Sequence, residues 1–140
     1  MSDNPETIHD VEISLVSADG VVTGRLMAQF SGVDYTVRIV CADMTYESTA
    51  WNFFQALVNV RLSLEGVGLK PAVVGACRNV YPSRMSLEMG GGRRAYLWPL
   101  AERPATVDIF DGVPDSEYGN LVFVDDQKEA VRRLRSKGSE

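Results

Sequence analysis

The strongest constraint on how this chain folds is a two-residue alternation that recurs in three runs between residues 11 and 41. In VEISLVS, Val11, Ile13 and Leu15 share one side of an extended backbone. In VVTGRLMAQF, Val22, Leu26, Ala28 and Phe30 do so, and in VDYTVRIVC, Val33, Tyr35, Val37, Ile39 and Cys41 do so. Successive side chains of a strand point to opposite faces, so each run buries one face and leaves the other in water. Asp19-Gly20 separates the first two runs and Ser31-Gly32 the next two, and both pairs are tight-turn chemistry. The expected unit is an antiparallel meander that needs a cover on one face.

The cover is expected from STAWNFFQALVNVRLSLEG. Phe53, Leu57, Val60 and Leu64 recur at helical spacing and form one stripe of a helix over about residues 49–65. Ser48 or Thr49 suits its N-cap and Gly66 a left-handed C-terminal cap. The Phe and Trp residues of this segment read as core material. Further on, LKPAVVGACRNVY is apolar on both faces from Ala72 to Cys77, the pattern of a central strand. RAYLWPL and ATVDIFD read as two more strands, with Pro99 and Pro104 at their ends or on an exposed edge, and GNLVFV as a short one. Asp125 or Asp126 caps a final helix, QKEAVRRLRS, whose Arg132, Arg133, Arg135 and Lys137 favour its C-terminal dipole.

The expected class is α+β: a mostly antiparallel sheet with a long helix on one face and a second helix near the C-terminus. With 140 residues, no internal repeat and no dividing linker, residues 1–140 read as a single domain. About eight N-terminal and about five C-terminal residues are expected to fray.

Composition narrows the function classes. A chain 45% hydrophobic and 24% charged is globular in composition. No segment approaches the ~20 apolar residues of a membrane span, and MSDNPETIHD lacks the basic start and apolar run of a secretory signal, so a cytoplasmic location and no membrane partner are expected. Net charge is −5, and residues 1–60 hold 8 acidic against 2 basic side chains. Nucleic-acid binders cluster Lys and Arg instead, so no nucleic-acid partner is expected, while an acidic surface suits a basic protein.

Catalytic chemistry is poorly provided for. His9 is the only imidazole, a serine nucleophile needs a positioned base, and Cys41 and Cys77 stand alone in apolar runs without CxxC spacing. Asp108 with Asp111, and Asp125 with Asp126, are explained by turn and cap roles. No enzyme activity, metal or cofactor is expected.

The most unusual stretch is SRMSLEMGGGRRAY, residues 83 to 96. Ser83 suits an N-cap, Met85 and Met89 stand one turn apart, and Gly90 can end a short helix. Gly91 and Gly92 exceed what that cap needs. They can form a concave amide nest for an anion beside Arg78, Arg84, Arg93 and Arg94, or let a partner approach. The segment lacks the strand-glycine-helix arrangement of a dinucleotide site and the Lys-Ser or Lys-Thr of a phosphate loop.

The string GACRNVYPSRMSLEMGGGRRAYLW followed by VDIFD carries a resemblance. Through Gly75, Ala76, Arg78, Tyr81, Pro82, Ser83, Met85, Met89 to Gly92, Arg93, Ala95 and Tyr96 it resembles small bacterial proteins similar to the immunity proteins of polymorphic toxin systems. Cys77 and Asn79 depart from that pattern, where more polar or charged residues are expected. The resemblance implies a cytoplasmic, non-enzymatic antidote that binds a cognate toxin domain and occludes its active site. On that reading Tyr81, Arg84, Met85, Met89, Arg93, Arg94 and Tyr96 contact the partner around the glycine loop. Asp43, Glu47, Asp111, Asp115 and Glu117 are the acidic contacts. The competing reading is a small-ligand or nucleotide-binding regulatory domain that uses Gly90 to Gly92 and the neighbouring arginines.

Overall fold

The computed structural model describes residues 6–89 and 91–138, with side chains up to 88 and from 91 to 135. The meander has four strands: β1 (Glu6–Ser17), β2 (Gly20–Phe30), β3 (Tyr35–Cys41) and β4 (Met44–Ala50). With the two-residue β5 (Lys70–Pro71) they form a curled antiparallel sheet in the order β4-β3-β2-β1-β5. Register aligns the apolar positions across strands: Val11 faces Leu26, which faces Ile39, and Ala28 faces Val37. Leu15, Leu26, Ala28, Val37 and Ile39 are fully buried on the inner face. The outer face carries Asp10 with Arg25, Arg38 with Glu47, and a Thr36–Thr49 hydroxyl pair. Such exposed ion pairs contribute about 1 kcal/mol or less.

Helix α1 (Phe53–Glu65) covers the inner face, and Phe53, Leu57, Val60 and Leu64 are buried as their spacing predicts. Burial of each such side chain stabilises the fold by about 1.5–3 kcal/mol. The caps differ from expectation. Asn52, not Ser48 or Thr49, is the N-cap, and its side chain accepts the Gln55 N–H at 2.8 Å. Ser48 and Thr49 belong to β4, which has a weak sequence signal because its inward residues are Tyr46, Ser48 and Ala50. Gly66 stays right-handed; the chain reverses at Gly68, whose φ is +75°, and the Leu69 N–H returns to the Leu64 carbonyl. Val33 sits in the β2–β3 turn rather than on β3, and β1 begins at Glu6, so that His9 lies in the sheet.

The second half is less regular. A three-stranded sheet of β6 (Val80–Tyr81), β7 (Arg94–Leu97) and β8 (Thr106–Asp108) pairs in the order β6-β7-β8, with α2 (Arg84–Met89) between its first two strands. Helix α3 (Val124–Gly138) closes the chain, so the architecture is α+β. The stretch from Ala72 to Cys77 is not a central strand. It passes through a single 3-10 turn at Val74–Ala76, with Val74 and Gly75 amides bonded to the Asp111 and Ile109 carbonyls. Its two-sided burial is real, but α1 and the neighbouring loops supply the cover. GNLVFV likewise gives the end of a 3-10 turn and one bridge, Cys77 to Leu121.

Two polar side chains join α1 and α3 to this half. Arg61 is buried and donates to Gly75 O (3.2 Å), Val122 O (3.0 Å) and Gln127 Oε1 (2.7 Å). Gln127 Nε2 in turn reaches the carbonyls of Gly75, Cys77 and Val80 at 2.8–2.9 Å. Helix α3 starts at Val124, so Asp125 and Asp126 fall in its first turn. The Val124 N–H is received by the Glu65 carboxylate of α1 at 2.6 Å, a cap supplied across space.

Candidate interaction surface

The glycine segment is a structural lock. Ser83 Oγ accepts the Ser86 N–H at 3.0 Å and starts α2, as its position predicts. Gly91 and Gly92 are both buried, with φ of +69° and +75°. A Cβ on Gly91 would lie 2.8 Å from Tyr35 Cε2 on β3, and one on Gly92 would lie 2.7 Å from Asn52 Oδ1. Any side chain there is excluded both by conformation and by space. The Gly91 carbonyl receives the Phe53 N–H at 2.6 Å, so the turn helps to cap α1. The Gly92 N–H is bonded to Ser86 O at 3.0 Å, so Gly91 and Gly92 do not present two adjacent free amides to an anion. Gly90 and the Met89 side chain lie outside the described residues.

Exposed apolar side chains stand on the segments that this lock joins. Tyr35 pairs with Ala50, which sets the β2–β3 turn beside the end of β4, and Gly91 packs on the same tyrosine. Trp51 follows Ala50 and is 62% exposed, Val33 in the adjoining turn is 78% exposed, and Met85 on α2 is 70% exposed. Isolated apolar residues on a surface are ordinary, but an indole left mostly in water is not, since tryptophan is highly buried on average. Arg84 is exposed beside Met85. The expectation that the Trp of this segment is core is corrected. Trp51 precedes the N-cap and stands two residues before Phe53, off the stripe that Phe53, Leu57, Val60 and Leu64 define.

The other sequence-selected residues divide among different places. Arg93 is half-buried, with Nε 2.9 Å from Asp108 Oδ2 and its guanidinium over the Phe110 ring. Arg94 binds Thr106 through its hydroxyl and carbonyl oxygens. Tyr96 lies between Tyr81 and Thr106 in the small sheet. Tyr81 meets Phe54 edge-on at 4.9 Å and lies under the Arg135 guanidinium. Asp43 and Glu47 lie on the β3–β4 hairpin, three strand spacings from β1, or about 14 Å across the sheet. Asp111 and Asp115 line a groove of about 420 Å³ beside β1. Glu117 lines a separate cleft with Cys77, Val80 and Leu97.

No family model matches this chain, and no curated protein matches it. The chemistry of its side chains therefore carries the functional reading. Cys77 is buried, and desolvation, with a smaller push from Glu117, raises its thiol to about 11, which leaves it a poor nucleophile at neutral pH. Asp108 accepts from both Arg93 and the Phe110 N–H, a turn-stabilising role. Among the described residues no three His, Cys, Asp or Glu side chains converge as a metal site. What the surface does present is an exposed aromatic side chain at Trp51, the flexible thioether of Met85 and the charge of Arg84.

Proposed function

We propose that this chain is an immunity-type inhibitor: a non-catalytic protein that binds a cognate toxin domain and neutralises it by occluding the active site. The observation that carries this reading is the exposed Trp51, next in sequence to the Asn52 on which the glycine lock is seated, with exposed Met85 and Val33 on segments that the lock joins. Tryptophan and arginine are among the residue types that dominate protein contacts when water is excluded from around them, and methionine is enriched at interfaces. The lock holds this surface on α1, α2 and β3 at once, so little ordering is needed on binding. Arg84, Met85 and Tyr96 remain candidate contacts from the sequence, and Trp51 joins them. Arg93 and Arg94, bonded internally, act by positioning the turn. Of the acidic candidates, Asp111 and Asp115 share one groove and suit a cationic segment, while Asp43, Glu47 and Glu117 lie apart from them.

The test is coexpression with the product of the adjacent open reading frame. The chain should restore growth, and Trp51→Ala should abolish that protection while the melting temperature stays within about 2 °C, as expected for an exposed side chain. Protection by Trp51→Ala and Arg84→Glu that equals the parent's, or turnover of a substrate by the purified chain, would count against the proposal.

A further inference from the structure

The long free edge of β1 is the feature of the fold that this surface does not use. β2 pairs with β1 from Glu6 to Ser17, but on the opposite side the described partners are Lys70 to Ala72 alone, facing Ser14 to Val16. The Ser14 carbonyl accepts the Ala72 N–H at 2.8 Å, which sets the parity of the edge. Residues at alternate positions, Glu12 and Asp10, therefore turn their N–H and C=O groups toward the same open side. Unpaired strand edges are templates for another strand, and proteins usually blunt them with proline, lysine or a bulge. The bulge in β1 lies between Thr7 and His9, and the register beyond it is regular.

This edge opens into the groove of about 420 Å³, walled on its far side by residues 110–113, Asp115 and Tyr118. Phe110 stacks on the His9 ring at 5.6 Å, and Val11, Ile13 and Val113 give the groove an apolar lining. Its charge is one-sided. Glu12, Asp111 and Asp115 line it, and no lysine or arginine does. An occupant must supply backbone donors and acceptors for Glu12 and Asp10, apolar side chains for the lining and cationic ones for the three carboxylates.

We infer that the β1 edge binds an extended, lysine- or arginine-bearing segment of a protein partner as an added strand. This rests on the reading of the chain as an interaction protein and states how one segment of its partner is held. Main-chain hydrogen bonds along Asp10–Glu12 give affinity, and alternate side chains give selectivity. A second copy of this chain is a poor occupant, because edge-to-edge pairing would set Asp10 and Glu12 against the same acidic residues. A nucleic acid is repelled by the same carboxylates.

The experiment uses the full chain, isotopically labelled for amide exchange, and a capped seven-residue peptide of alternating valine and lysine as the probe. The peptide should slow exchange of the Asp10 and Glu12 amides while amides on the free side of β4 stay unchanged. N-methylation of alternate peptide residues, which removes donors but keeps charge, should weaken binding about tenfold or more, equivalent to about 1.4 kcal/mol. Glu12→Pro should do the same, because that N–H faces the open side and the β1–β2 ladder does not use it. Asp111→Asn with Asp115→Asn should weaken binding several-fold and flatten its salt dependence. Equal binding by the N-methylated peptide, or protection elsewhere than at Asp10 and Glu12, overturns the inference without altering the protein. Toxin protection that survives Glu12→Pro but is lost in Trp51→Ala also defeats the edge inference and leaves the immunity reading standing. Edge pairing of the peptide with no protection from the neighbouring gene product does the reverse.

Discussion

The five-stranded sheet and α1 meet through apolar side chains, whereas the turn at Val74–Ala76, β6 and α3 meet through a buried arginine and a buried glutamine. In the first region Leu15, Leu26, Val37, Ile39, Leu57 and Leu64 exclude water completely, and β3 pairs along its whole length with β2 on one side and β4 on the other. Attraction there is non-directional and proportional to area. In the second region the backbone is irregular, and carbonyls of Gly75, Cys77, Val80 and Val122 point inward. Unpaired, each would carry a desolvation penalty of about 1–3 kcal/mol. Arg61 and Gln127 satisfy all four, so these two side chains take the place of a ladder. The difference shows that an interior can be held by area or by direction, and that the two fail differently.

The largest expected effect comes from removing the directional element. Arg61→Ala leaves Val122 O and Gln127 Oε1 without their donor and opens a cavity, and should destabilise by roughly 3–5 kcal/mol in urea unfolding. Arg61→Lys should recover only part of this, since one ammonium cannot reach three acceptors in a fork geometry. If the lysine variant is as stable as the parent, the clamp is no more directional than the sheet core. Burial pushes the Arg61 guanidinium down to about 10, with Glu65 opposing that shift, so it stays charged at neutral pH. The sheet should behave differently. Ile39→Val removes one methylene from an area-held interface and should cost only about 0.5–1.5 kcal/mol by the same measurement.

A smaller effect distinguishes the regions by pH. The Cys77 thiol belongs to the polar half, and burial raises it from 9.0 to about 11. The unfolded chain therefore releases this proton first, the folded state binds more protons between these values, and stability falls as pH rises from about 9 to about 11. Below pH 9 the thiol is neutral in both states and contributes nothing to the slope. Urea midpoints at pH 8 and pH 10.5 should converge in Cys77→Ala; a slope unchanged by that substitution would place the alkaline sensitivity elsewhere.

The two regions were unequally legible. The meander and α1 follow from period-two and helical spacing, because a buried face leaves a periodic trace in the chain. β4 left little trace, since an edge strand with Tyr46, Ser48 and Ala50 inward needs no strong alternation. In the second half, Ala72 to Cys77 signalled burial correctly and strand wrongly, as an apolar run records its surroundings without recording what they are made of. Glycines and methionines drew attention to the candidate surface in the sequence. Trp51 went unmarked because it lies outside the helix, off the stripe that buries Phe53, Leu57, Val60 and Leu64.

Sequence alone determined the α+β class, the four-residue stripe of α1, the cap at Ser83 and the acidic bias of the first sixty residues, all of which are local or periodic properties. Tertiary structure alone decided that Gly91 and Gly92 seat against Tyr35 and Asn52, that Arg61 meets Gln127 across 66 positions, that Glu65 caps α3 and that Trp51 faces water. The physical reason is that hydrogen-bond partners and solvent exposure depend on which distant segments arrive at one place. Spacing along a chain encodes a face, and only packing decides what that face meets.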